Sequence, residues 1–303
     1  MHNFETNCLF IRTFLNIATK TIQSVLIVVL AFYSEAVYAQ GGLIIMPKRL
    51  VFEGNKRSAK LNIANTTSDT VKYAISIIDM KMMADGSFIE IKKSDSGQAT
   101  ASDHIRFYPK TVSLGPNEWQ TISVQVSNTS KLSQGEHRAH IRFSPMQSEK
   151  PAVAQKQDNI PSNIIRVEKL VPVFAITIPA IIRNGENNTR VNFMNVSFTN
   201  VDDTTPILNA TVKREGNMST YGNISVVHIS PEGFETHVAY MRGFAVYTPN
   251  TTRVLSINLD KKVGVNFSVG SLRLVYTTFI EERPVKIAEY EIIIPEKQKI
   301  NYR

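Results

Sequence analysis

The chain has 303 residues, of which 43% are hydrophobic and 20% are charged, and its 34 Lys and Arg against 26 Asp and Glu give a net charge of +8. This composition excludes a collagen, a coiled coil, a polytopic membrane protein and a largely disordered chain, because the apolar content suffices for packed cores. At this length we expect two domains.

The first 39 residues predict a secretory signal rather than part of a domain. Lys20 precedes an apolar run at 22–32, which is too short to span a bilayer but has the length of a signal-peptide core. Val37 and Ala39 occupy the small-residue positions of a cleavage site, so we predict cleavage after Ala39. An uncleaved anchor helix is the alternative. Cleavage would also remove Cys8, the only cysteine, and with it any disulfide or thiol chemistry.

From Gly41 onward, short runs of alternating apolar and polar residues are separated by turn signals, which is typical of antiparallel β-sandwiches. We therefore predict an all-β protein with two immunoglobulin-like sandwiches. Pro47 confines the first strand to a sheet edge or a kink. The strands predicted for the first half are 43–52, 59–63, 71–77, 88–91, 105–112, 119–126, 136–143 and 163–178.

The second half repeats this pattern, with one of its turns predicted at 221–223. We predict a signal peptide at 1–39, a first domain at 40–178 and a second at 179–303, with a connector near 179–184 and a cleft between the domains. The strands predicted for the second half are 191–198, 207–212, 224–229, 237–246, 253–259, 272–278 and 288–294.

A polar segment at 144–162, punctuated by prolines, joins the last two predicted strands of the first domain. Loops longer than about 12 to 15 residues in a compact domain are usually functional or disordered. The strand that follows is apolar on both faces. Ile165, Val167, Val171 and Val173 lie on one face, and Ile160, Ile164 and Leu170 on the other. This pattern fits a strand that packs against a partner, and it equally fits a central strand buried within this protein.

Several motifs carry a resemblance to a known family. Arg49 begins Arg-Leu-Val-Phe-Glu-Gly, and Ala-Lys-Leu-Asn-Ile-Ala-Asn at 59–65 and Leu-Gly-Pro-Asn-Glu-Trp-Gln at 114–120 follow it. Together they resemble the first domain of PapD-like periplasmic pilus chaperones. In the second half, 212–222 and 243–249 resemble the archaic or alternative branch of the chaperone–usher pathway.

The resemblance implies an L or boomerang arrangement of the two sandwiches and a non-enzymatic, periplasmic function. The implied chaperone binds pilin or fimbrial subunits by donor-strand complementation and delivers them to an outer-membrane usher. It needs no cofactor or metal, binds no nucleic acid and does not insert into a membrane after signal cleavage. The resemblance also allows oligomers in which free chaperones cap one another.

The resemblance further implies which residues form the site. Arg49 would bind the carboxylate at the C-terminus of the subunit, a role that suits a guanidinium because it stays charged and can bond both oxygens. Lys169 is the predicted second cation. The residues predicted for the donor strand are Ile164, Ile165, Val167 and Val171.

Two other classes of protein remain open at this stage. One is a secreted immunoglobulin-like adhesin or pilus structural subunit. The other is a periplasmic copper-binding protein, because the thioethers of Met80, Met82 and Met83 could bind copper, although packing also explains them. His137 and His140 are three apart on a predicted strand, so we expect surface positions on opposite faces and no shared metal. The chain lacks the common hydrolase, zincin and phosphate-loop motifs.

Overall fold

A computed structural model describes residues 42–92, 98–146, 174–200 and 205–294 of the chain. Within these ranges the protein has seventeen strands, two short 3-10 turns and no α-helix. In this part of the chain, no helix combines the length and the apolar character that crossing a membrane requires. The all-β class is thereby confirmed, whereas the predicted signal segment lies outside the described residues.

The first sandwich packs two sheets over one apolar core. One sheet has the order β1-β3-β8-β6, and the other has the order β2-β10-β9-β4-β5, with β7 also paired to β4. All pairs are antiparallel except that of β2 with β10. The strands are β1 Leu43–Met46, β2 Leu50–Phe52, β3 Ser58–Asn65, β4 Val71–Met82, β5 Phe88–Ile91, β6 Ile105–Tyr108, β7 Thr111–Leu114, β8 Trp119–Val126, β9 Gly135–Met146 and β10 Ile176–Asn184. The 3-10 turns are Ser102–His104 and Thr129–Lys131.

Two segments of this sandwich cross from one sheet to the other at a cis-proline. β1 and β2 lie in opposite sheets on either side of Pro47, which agrees with the predicted kink. β6 and β7 are divided in the same way at Pro109, so the prediction of one continuous strand at 105–112 is wrong. Proline has no backbone N–H to donate to a sheet, so each ladder ends there.

The second sandwich has a three-stranded sheet, β11-β12-β15, and a four-stranded sheet, β14-β13-β16-β17. Its own apolar core lies between them. The strands are β11 Arg190–Thr199, β12 Ile207–Glu215, β13 Thr220–Ile229, β14 Glu235–Val246, β15 Thr252–Asn258, β16 Ser271–Ile280 and β17 Arg283–Ile293. The turn predicted at 221–223 is wrong, because these residues lie inside β13, at a shift in its register with β14. The two cores confirm the prediction of two immunoglobulin-like sandwiches.

Strand β10 extends the first sandwich beyond the predicted domain boundary at 178. It pairs with β9 from Ile176 to Asn184, so the expected connector at 179–184 is part of this sheet. On its other side, β2 pairs only with Ala180–Ile182. Among the described residues, Ile176–Ile178 therefore have no strand partner on that side, and β10 presents an open edge there.

Candidate ligand-binding cleft

A small apolar cluster joins the two sandwiches. Met82 and Ile181 from the first sandwich pack against Ala245 and Tyr247 from the second, and all four are buried. Burying such side chains stabilises the contact by roughly 1.5–3 kcal/mol for each large aliphatic group, before ordering costs. This cluster holds the two domains together behind the cleft described below.

Glu136 on β9 lies at the centre of a charged network between the sandwiches. Its Oε2 accepts a hydrogen bond of 3.0 Å from the backbone N–H of Ser219, and its Oε1 accepts one from the Ser219 hydroxyl. Arg183 Nε lies 3.4 Å from Oε2, and Arg138 Nη1 lies 3.6 Å from Oε1. Arg138 also donates to the carbonyl of Thr248 at 3.1 Å. Because Ser219 and Thr248 belong to the second sandwich, these bonds fix the domains to each other.

A second polar contact comes from the turn between β4 and β5. Asn250 Nδ2 donates to the carbonyl of Met82 at 2.8 Å, and Val254 N donates to the carbonyl of Ala84 at 3.1 Å. Gly86 in this turn has a φ of +90°, and a Cβ added there would lie 2.1 Å from Nη2 of Arg253. Only glycine combines this backbone conformation with so close an approach.

A cleft of about 830 Å³ opens between the domains. Strand β2 and its flanks form part of its wall because side chains alternate along a strand. Arg49, Val51 and Glu53 line the cleft, whereas Leu50 and Phe52 are buried in the first core. The lining residues are Arg49, Val51, Glu53, Arg183, Asn187, Thr189, Arg190, Val191, Asn192, Ser219, Thr220, Tyr221, Thr278, Phe279, Ile280 and Ile287.

The predicted anchor residue Arg49 lies in this cleft. Its guanidinium carbon stands 4.0 Å from the centroid of the Tyr221 ring, within the range of a cation–π interaction. Its Nε is buried without a hydrogen-bond partner, and within the described ranges Arg49 forms no ion pair. The ring holds the guanidinium in place while leaving its charge uncompensated.

Arg183 is a second cation in the cleft, and the sequence analysis did not predict it. It lies 3.6 Å from Glu53 and 3.4 Å from Glu136, and it donates to the carbonyl of Ser219 at 3.1 Å. The sequence analysis assigned residues 179–184 to a connector and therefore did not consider on which face of a strand Arg183 lies. On β10 it lies two residues after Ile181, and therefore on the face that contacts the second sandwich.

The other predicted site residues are not brought together with Arg49, because they fall in 147–173, outside the described residues. These are Lys169, predicted as the second cation, and Ile164, Ile165, Val167 and Val171, predicted as the donor strand. Their roles stay predictions.

Two of the methionines considered as copper ligands, Met82 and Met83, differ in burial. Met82 is buried in the cluster between the sandwiches, whereas Met83 is exposed. The geometry thus favours packing for Met82. Among the described residues, no group of three or more His, Cys, Asp or Glu lies close enough to hold a metal ion.

His137 and His140 are buried, so the prediction of surface positions is wrong for both. They lie on β9, which is flanked by β4 and β10. His140 contacts the ring of Phe88 edge-on and lines a smaller cavity of about 310 Å³ between the sandwiches. Burial, together with the nearby charge of Arg138, lowers the pKa of His140 to about 3.

No family model matches the chain, and no match was found among curated proteins. Several solved structures are similar to it. The CsuC–CsuE chaperone–tip adhesion subunit pre-assembly complex, from the archaic Csu pili of Acinetobacter baumannii, is 12% identical over 81% of this chain and 98% of that chain, with a TM-score of 0.41. The CupB2 chaperone of Pseudomonas aeruginosa is 13% identical over 83% of this chain and 100% of that chain, with a TM-score of 0.40.

The class 5 fimbriae chaperone CfaA is 11% identical over 83% of this chain and 98% of that chain, with a TM-score of 0.38. All three structures contain a chaperone, and two of them are named for pili or fimbriae.

Proposed function

We propose that this chain is a non-enzymatic periplasmic chaperone that binds pilin or fimbrial subunits by donor-strand complementation and delivers them to an outer-membrane usher. The observation that carries the proposal is Arg49, a guanidinium without an ionic partner among the described residues, in a cleft between two sandwiches. The signal-like segment at 1–39 and the motifs that resemble pilus chaperones support export and the choice of partner.

Arg49 suits a carboxylate ligand. A guanidinium stays charged at any physiological pH and can donate two parallel hydrogen bonds to one carboxylate. The carboxylate at the end of a polypeptide is such a ligand. Because the chain ends there, the terminal residue can enter the cleft without any further residues having to pass through it. Binding there would fix the register of the preceding residues against the open edge of β10.

The open edge of β10 supplies the second part of the proposal. Within the described residues, Ile176–Ile178 lack a strand partner on the side of β2, so their backbone groups are available for pairing. A subunit that lacks one strand exposes an apolar groove, and strand addition is the mode of recognition known from pilus chaperones. Of the predicted donor-strand residues, Ile165, Val167 and Val171 share one face and would enter that groove, each contributing roughly 1.5–3 kcal/mol before ordering costs, whereas Ile164 would lie on the opposite face.

Co-expression of the chain with its neighbouring open reading frames tests the proposal. We expect a soluble 1:1 complex with a smaller subunit, and the loss of that complex in Arg49→Ala and in Val167→Asp. Arg242→Ala is the matched control, because Arg242 also lies over a tyrosine ring, at 5.6 Å from Tyr240, but outside the cleft. Unchanged recovery of the subunit with Arg49→Ala would overturn the anchor. A Val167→Asp protein that fails to fold would instead favour a strand internal to this chain.

The same preparation separates the proposal from its alternatives. An adhesin or a structural subunit would assemble with copies of itself rather than bind a smaller protein. A copper carrier would retain stoichiometric metal after purification.

A further inference from the structure

The end of the β16–β17 hairpin carries exposed apolar side chains. Phe279 is 54% exposed and Ile280 is 58% exposed, although both lie on a regular strand. They follow Tyr276, which is fully buried in the second core. The ladder between β13 and β16 ends at the pair of Asn223 with Thr277, so Phe279 and Ile280 lie beyond the paired part of β16 on that side.

These two side chains line the same cleft as Arg49. Val191 and Ile287, which belong to β11 and β17, line it as well and complete an apolar wall. Single exposed apolar residues are ordinary on protein surfaces, and Phe234, which is 73% exposed and does not line the cleft, is an example. An apolar wall in a cleft that also contains polar and charged groups is instead typical of a ligand site.

The charges of the cleft indicate the chemistry of its ligand. Its lining contains three arginines and one carboxylate, which is that of Glu53. Arg183 already contacts Glu53 and Glu136, and Arg190 stands opposite Glu215 where β11 pairs with β12. Arg49, which forms no ion pair within the described ranges, is therefore the group that we assign to an anion. The acidic turn residues Glu281 and Glu282 are not among the lining residues. The cleft thus presents a cation and an apolar surface to one ligand.

We propose that Phe279 and Ile280 form a specificity surface for the C-terminal residue of the bound polypeptide, and that this residue is apolar or aromatic. A C-terminal residue carries its carboxylate and its side chain on the same Cα atom, so one residue can contact both Arg49 and the apolar wall. A polar side chain would lose its hydration against that wall and gain no hydrogen bond. This inference rests on the proposed function, because it takes Arg49 as the carboxylate anchor.

Binding of three fluorescein-labelled peptides tests the inference. Each peptide has fourteen residues that alternate Val and Thr, and the peptides end in a Phe carboxylate, an Asn carboxylate or a Phe amide. By fluorescence anisotropy, we expect the Phe carboxylate to bind about tenfold more tightly than the Asn carboxylate. The variant carrying Phe279→Ser and Ile280→Ser should reduce this ratio to about twofold or less and leave the preference for a free carboxylate unchanged.

The variant carrying Phe234→Ser and Ile293→Ser is the matched control, since it removes one Phe and one Ile that are exposed outside the cleft and should keep the tenfold ratio. Equal affinities for the Phe and Asn carboxylates, with weak binding of the amide, would overturn the specificity surface alone. A ratio unaffected by the hairpin substitutions would do the same. Failure of every peptide to bind, or equal binding of the amide and the acid, would overturn the carboxylate anchor and this inference with it.

Discussion

Two charged sites lie between the sandwiches, and they differ in how their charges are paired. Around Glu136, the carboxylate and the guanidinium groups of Arg138 and Arg183 all lie within 3.6 Å of an opposite charge. At Arg49, the guanidinium lies over the ring of Tyr221, and no ion pair of this residue is found in the described ranges. The first site holds the domains in place, and the second keeps a charge available for a ligand.

The difference follows from solvent access. The side chains of Glu136 and Arg138 are 0% and 2% exposed, so each needs the other's charge to offset the loss of hydration. Arg49 is partly exposed at the wall of an open cleft, and water can solvate the part of its guanidinium that the ring does not cover. A cation can remain unpaired there at little cost until an anion displaces that water.

The largest effect on stability is expected from Glu136→Ala. The substitution leaves the buried guanidinium of Arg138 without its carboxylate, takes one of two carboxylates from Arg183 and removes both hydrogen bonds from Ser219. We expect the free energy of unfolding, measured by urea titration, to fall by about 3–5 kcal/mol. The control Glu215→Ala, which breaks an exposed ion pair with Lys213, should leave the unfolding midpoint nearly unchanged. Equal effects of the two substitutions would contradict the structural role of Glu136.

A smaller effect is expected from acidification, through His140. The pKa of His140 is about 3 in the folded protein, whereas its ordinary value is 6.5. Between pH 6.5 and pH 3, therefore, His140 takes up a proton only in the unfolded chain. Above pH 6.5, His140 therefore does not reduce the free energy of unfolding. Below pH 6.5, the free energy of unfolding falls by about 1.4 kcal/mol for each pH unit, until the pH approaches 3. At pH 5 the loss is about 2 kcal/mol.

Urea titrations of the wild type and of His140→Phe between pH 7.5 and pH 5 measure this contribution. The variant should lose less stability than the wild type over that interval. Parallel decline of the two proteins would show that other groups cause the pH dependence. His137→Phe is a suitable second comparison, because His137 is also on β9 but bonds the carbonyl of Ser133.

The smallest effect on stability is expected from Arg49→Ala. Its contact with Tyr221 is a partly exposed cation–π interaction, so the free energy of unfolding should change by less than about 1 kcal/mol. Arg183→Ala, which breaks contacts with Glu53, Glu136 and Ser219, should destabilise the protein more. The same urea titration ranks the two arginines. A larger loss with Arg49→Ala than with Arg183→Ala would remove the distinction between the two sites.

The parts of the fold that the sequence predicts best are strands with one buried face. β8 begins and ends where its alternation predicts, and Ile122, Val124 and Val126 are buried as the pattern requires. The same alternation around β2 directs Arg49 away from the first core, whereas its position in a cleft is implied only by the resemblance to pilus chaperones. Burial on one face is a local signal, because it recurs at every second residue.

What the sequence does not show are features that depend on contacts between distant segments. Arg183 follows apolar residues that are typical of a buried strand, but only the pairing of β10 with β9 shows that the strand continues to it. His140 is polar, yet β4, β10 and the second sandwich surround it. The division of 105–112 at Pro109 also depends on which sheet accepts each half.

The short strand β2 has a consequence for how the chain tolerates insertions and deletions. Leu50 and Phe52 point into the first core, whereas Arg49, Val51 and Glu53 point into the cleft. This arrangement requires that the two sets alternate without interruption along the chain. Gain of a single residue between Arg49 and Leu50 would break this alternation and direct the guanidinium toward the apolar core while Leu50 and Phe52 keep their places. Length variation during evolution should therefore be absent from this short stretch and tolerated in the loops that follow it.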